Sequence, residues 1–71
     1  MQELIELDRF VVPLGQQEIE IQQIRHAEGA MPMLRLRIRE GKRFTILDLD
    51  PVSIQRLEST FLKWLSQQAR S

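Results

Sequence analysis

The sequence predicts an α+β fold, with an antiparallel four-stranded β-sheet followed by one C-terminal amphipathic α-helix, in the order ββββα. Three observations predict it. Residues 33–39, MLRLRIR, are the cleanest alternation in the chain, with Leu34, Leu36 and Ile38 pointing one way and Arg35, Arg37 and Arg39 the other, the period of a strand with two unlike faces. Glu40-Gly41-Lys42 then supplies a tight turn, with Gly41 free to take positive φ, before a second β-rich run. Asp50-Pro51 opens a helix, because Asp is a preferred N-cap and Pro at the first helical position loses no intrahelical bond.

The elements follow in chain order. Strand one is expected over about 4–12, where Ile5, Leu7 and Val11 alternate with Glu6, Asp8 and Phe10, and Arg9 interrupts the apolar row. Pro13 and Gly15 mark a turn. Strand two covers about 18–25: Ile19 and Ile21 share one face, while Glu18, Glu20 and Gln22 share the other. Ile24 falls out of phase, so either a β-bulge near Gln22-Gln23 restores it or the strand ends there. His26 to Pro32 reads as a loop. Strands three and four occupy about 33–39 and 43–49, the last being apolar on both sides through Phe44, Ile46, Leu47 and Leu49.

The helix is expected over about 51–68, with Ile54, Leu57, Phe61, Trp64 and Leu65 on one stripe, Leu62 beside it, and the segment from Ser66 to Ser71 fraying into solvent. The stripe is read as core packed on the sheet, with an interface as the other reading. Loops this short exclude crossovers, so the pairing is antiparallel. All of this makes one small domain over residues 1–71.

Ten Lys+Arg balance ten Asp+Glu, so no long-range field attracts nucleic acid or acidic lipid, and local clusters must carry any such role. The chain has no cysteine, which excludes disulfides and fits a reducing compartment. A bacterial-type cytoplasmic protein is the expectation; the acidic start Met1-Gln2-Glu3-Leu4-Ile5-Glu6 reads as neither a signal peptide nor a membrane span. A domain of this size is marginal alone and needs good packing or a second subunit. A homodimer is expected.

Chemistry-bearing constellations are missing. One histidine, His26, in a loop near Glu28 does not make a metal site. Ser53, Ser59, Thr45 and Thr60 have no Ser/His/Asp arrangement around them, and Ser53 is read as a capping helper. Of the two nearby carboxylates, Asp50 caps the helix and Asp48 balances an arginine. Isolated glycines at 15, 29 and 41 form no phosphate-cradling loop. No catalytic, cofactor-binding or metal-binding residue is assigned, and the chain is not expected to be an enzyme.

Pairing Ile19 with Ile38 and Ile21 with Leu36 sets Glu18, Glu20 and Gln22 opposite Arg39, Arg37 and Arg35, so the arginine row has a simple reading as a charge-paired sheet face. For the next hairpin, a two-residue Gly41-Lys42 loop places Phe44, Ile46 and Asp48 beside the arginines, whereas a longer bulged turn swaps the faces of strand four. Either way, arginines and apolar groups share a face, which suits a surface that meets something.

The run Leu34-Arg35-Leu36-Arg37-Ile38-Arg39, the basic turn Gly41-Lys42-Arg43, and Phe44 to Leu49 leading into Asp50-Pro51 resemble the PC4-like family of single-stranded DNA-binding transcriptional coactivators. The resemblance spans roughly residues 18–65 and rests on architecture. It implies a homodimer joined through its helices and a curved basic sheet that grips single-stranded nucleic acid. Arg35, Arg37, Arg39, Lys42 and Arg43 would contact phosphates and Phe44 would stack on a base.

Three functional expectations follow. The first is a non-catalytic protein–protein interaction module, a homodimeric accessory or adaptor protein that can also take a heterologous protein partner, with Phe44, Ile46, Phe61, Leu62 and Trp64 as interface candidates. The second is PC4-like nucleic-acid binding through the arginine face. The third is an enzyme or small-ligand protein. No cofactor and no membrane partner are expected.

Overall fold

The computed structural model describes residues 2–69 and shows the predicted α+β architecture. Strands β1 (Glu3–Val11), β2 (Glu18–Arg25), β3 (Met33–Glu40) and β4 (Arg43–Leu49) form one antiparallel sheet in the order β1-β2-β3-β4, and helix α1 (Pro51–Gln68) follows. Each strand pairs with its sequence neighbour because the connections between them are too short for anything else.

Register follows side-chain chemistry. Between β2 and β3, Ile19 faces Ile38 and Ile21 faces Leu36, while Glu18, Glu20 and Gln22 face Arg39, Arg37 and Arg35. Between β3 and β4, Leu36 faces Leu47 and Leu34 faces Leu49, which sets Phe44, Ile46 and Asp48 beside Arg39, Arg37 and Arg35. The two-residue turn is therefore the one formed. Gly41 takes a φ of 58° at its first central position, the II′ arrangement that matches the right-handed twist of paired strands.

The sheet thus has an apolar face and an arginine face. Ile24 does not need a bulge in β2, which runs unbroken to Arg25. The irregularity lies instead in β1, where the register slips between Glu6 and Asp8 and leaves Leu7 as the extra residue. That slip explains the broken pattern around Arg9. It brings Phe10 onto the apolar face opposite Ile19 and Arg9 onto the other face opposite Glu20. Val11 also joins the arginine face, opposite Glu18, so Ile5, Leu7 and Val11 do not form one row. Ile24 stays on the arginine face between Leu4 and Met33, forms an apolar end there, and is wholly buried at 0% exposure.

The helix starts where Asp50 and Pro51 place it. Asp50 is extended (φ −81°, ψ 167°), and its Oδ1 accepts the Ser53 N–H at 2.8 Å. Ser66 to Gln68 are helical rather than frayed, and the Ala69 N–H reaches the Leu65 carbonyl at 3.1 Å. Arg70 and Ser71 lie outside the described residues.

α1 packs mainly over β3. Ile54 and Leu57 are partly buried there, but every helix residue from Glu58 to Gln68 is exposed. The stripe expected as core is therefore core only in its first half. The consequence shows in overall shape: the radius of gyration is 14.5 Å, against about 11 Å for a compact chain of this length.

Gly41→Ala tests the turn. No atom lies within 4 Å of the position a Cβ would take, so only the backbone objects. The substitution should cost about 1–2 kcal/mol in urea unfolding, the price of a left-handed conformation for an L-residue.

Candidate interaction surface

The arginine face is built by alternation, and its charges are paired across strands. Arg37 Nη1 donates to Glu20 Oε1 at 3.1 Å, and Arg9 Nη2 donates to the same oxygen at 2.9 Å. Arg39 Nη2 donates to Glu18 Oε2 at 2.8 Å, and Arg9 Nε lies 3.1 Å from Glu18 Oε1. Arg35 holds Asp48 with two parallel bonds of 2.8 and 3.1 Å, the fork geometry that makes guanidinium–carboxylate pairs strong. Arg9 is the member that sequence reasoning missed. Its signal was the break in the β1 alternation.

Glu20 is buried, with 7% of its surface exposed, yet it accepts from two guanidinium groups. The hydrogen bond from Arg9, aided by the charges of Arg9 and Arg37, holds its carboxyl below the ordinary value against the opposing effect of burial. Asp48 is lowered in the same way, first by its hydrogen bonds from Arg35. Asp50 is lowered by hydrogen bonds from Ser53. The two carboxylates singled out in the sequence thus have separate structural tasks.

The six nucleic-acid candidates do not form one surface. Arg35, Arg37, Arg39 and Phe44 share the arginine face, with the Arg37 guanidinium 4.4 Å from the Phe44 ring centroid. Lys42 sits in the turn, and Arg43 pairs with Glu40 in the register of the opposite, apolar face. The interface candidates are divided as well: Phe44 and Ile46 lie on the arginine face at the β4 edge, whereas Phe61, Leu62 and Trp64 lie on α1.

The larger apolar exposure is on the helix side. Phe61, Leu62 and Trp64 are each 59% exposed and Leu65 is 56% exposed. Beside them a cleft of about 280 Å³ opens between helix and sheet, lined by Ile21, Leu34, Leu36, Ile54, Leu57, Glu58, Phe61 and Leu62. The cleft was not legible in the sequence, because the helix stripe predicts contact with the sheet but not how far along that contact runs. Among the described residues, no group of three or more His, Cys, Asp or Glu side chains could hold a metal ion, and no helix is long and apolar enough to cross a membrane.

The chain belongs to a family of unknown function, DUF6967, whose model matches residues 1–67. No curated protein and no solved structure matches the chain.

The lowered carboxyls fix a pH dependence. Folded-state values below the ordinary ones, about 3.9 for Asp and 4.3 for Glu, mean that the unfolded chain binds more protons in that window. Their stabilisation is complete above those ordinary values and is lost as pH falls through the folded ones. The melting temperature should hold nearly constant from about pH 7 to 5 and drop below about pH 4. The double variant Glu20→Gln, Asp48→Asn should melt lower at neutral pH and lose part of that drop.

Proposed function

We propose that this protein is a non-catalytic protein–protein interaction module that works as a homodimer, in an accessory or adaptor role. One observation carries the reading. The chain exposes 6088 Å², whereas a compact monomer of its 8.4 kDa exposes about 4,600 Å². The excess of roughly 1,500 Å² per chain exceeds the roughly 800 Å² per partner of a standard interface and falls in the range of obligate dimers.

Chemistry supports the same reading. The excess includes the exposed apolar side chains Phe61, Leu62, Trp64 and Leu65 on α1, interrupted by Lys63, and exposed apolar surface of this kind marks partner sites. Equal numbers of cationic and anionic side chains give no net charge to oppose self-association. The arginine face suits a structural role, since Arg35, Arg37 and Arg39 already hold Asp48, Glu20 and Glu18.

A second reading is single-stranded nucleic-acid binding of the PC4-like kind, favoured by the half-exposed Phe44 ring beside the Arg37 guanidinium. Two assays separate the readings. Sedimentation at micromolar concentration should return twice the chain mass, and a monomer with a cooperative melt would contradict the proposal. A fluorescent single-stranded oligonucleotide should not bind at low salt. Binding that weakens with salt and disappears in the Arg35/Arg37/Arg39→Ala variant would favour the second reading instead.

A further inference from the structure

The two edges of the sheet are built differently. An edge strand presents a row of unpaired N–H and C=O groups, which natural proteins blunt with bulges, charged side chains or proline. β1 is blunted: its register slips at Leu7, and Glu6, Asp8 and Arg9 sit around the slip. β4 is not. It pairs with β3 without a break from Arg43 to Leu49, contains no proline, and is uncharged through Phe44, Thr45, Ile46 and Leu47. All four of those residues are exposed.

The turn decides which backbone groups of β4 face outward. In a two-residue hairpin the flanking residues, here Glu40 and Arg43, exchange hydrogen bonds, and bonded residues then alternate along the strand. Arg43, Thr45 and Leu47 therefore bond to β3, while the N–H and C=O groups of Phe44 and Ile46 point away from it. A second β4 laid antiparallel across a two-fold axis at Thr45 meets those groups in kind. Phe44 then faces the partner's Ile46, and Ile46 the partner's Phe44, each pair exchanging two backbone hydrogen bonds. Phe and Ile form a favourable aromatic–β-branched pair, and the two Thr45 side chains meet at the axis. Sliding the pairing two residues one way sets Ile46 against the turn residue Lys42, and two residues the other way sets Phe44 against the partner's Asp48. Pairing about Thr45 avoids both.

We propose that two copies of the chain join edge to edge through β4, antiparallel about Thr45, in one continuous eight-stranded sheet. The two-fold axis stands perpendicular to the sheet, so arginine face continues into arginine face and both helices lie on the apolar side. This rests on the homodimer reading, and it names the contact that holds the dimer.

Because the natural chain has no cysteine, one introduced thiol per chain reports on the pairing. In Thr45→Cys the two thiols face each other across the axis, with Cα atoms about 4.5 Å apart, within disulfide reach. In Leu47→Cys they lie four residues apart along the strands, about 13 Å, beyond that reach. Under mild oxidation Thr45→Cys should cross-link at least about tenfold faster than Leu47→Cys. Equal rates, or faster cross-linking of Leu47→Cys, in a chain that sedimentation shows to be dimeric would overturn the edge pairing and leave the homodimer standing. A monomer at every concentration would overturn both. Amide hydrogen exchange of the unmodified protein gives a second test that needs no variant. The Phe44 and Ile46 amides should exchange about tenfold or more slowly above the dimerisation midpoint than in dilute protein. A dimer in which both exchange as fast as in the dilute chain would likewise overturn the pairing.

Discussion

A four-stranded sheet has two faces, and among the described residues there is a single helix with which to cover them. That shortage governs the rest of the structure. The extended chain would expose about 12,000 Å², and the folded one still exposes 6088 Å², so only about half is buried where about 60% is usual at this size. Ile24 is the single large side chain buried completely among the described residues. Hydrophobic burial scales with area removed from water, so a chain this open forgoes much of its main stabilising term.

The two faces meet the shortage differently. On the arginine face, long side chains lie across the sheet and cover it themselves. Their charges are satisfied by carboxylates on neighbouring strands, as where Glu20 joins Arg9 to Arg37 across β1, β2 and β3. The more exposed of these pairs, such as Arg39 with Glu18, stabilise little, and all of them favour one register. A one-residue slip of β2 against β3 would put isoleucines against arginines and leave Glu20 without Arg37. On the other face, α1 covers part of β3 with Ile54 and Leu57 and then leaves the rest of its apolar surface in water. The uncovered part of that face is the feature on which the proposed homodimer rests.

Much of this was legible in the sequence because it is local. The alternation of residues 33–39, Gly41 and Asp50-Pro51 fixed the hairpin and the helix start to within a residue, but left the hairpin's register open between a two-residue loop and a longer bulged turn, which the pairing of Arg39 with Phe44 decides. Glu18 and Glu20 opposite Arg39 and Arg37 followed from matching isoleucines to isoleucine and leucine. What escaped was non-local. The out-of-phase Ile24 suggested a bulge in its own strand, whereas the extra residue is Leu7 on the neighbouring strand, and only the pairing partner reveals which strand carries it. The helix stripe likewise predicted an apolar face without the point where the sheet ends beneath it. The cleft beside Glu58 and the exposed Trp64 depend on that point, and no periodicity encodes it.

We propose that the folded unit is two chains. Thermal unfolding followed over a wide range of protein concentration tests it most directly, because unfolding of a dimer to separated chains is a mass-action process. The melting temperature should rise steadily with concentration, in a single cooperative transition. A melting temperature independent of concentration, with the mass of one chain throughout, would show that the chain folds alone.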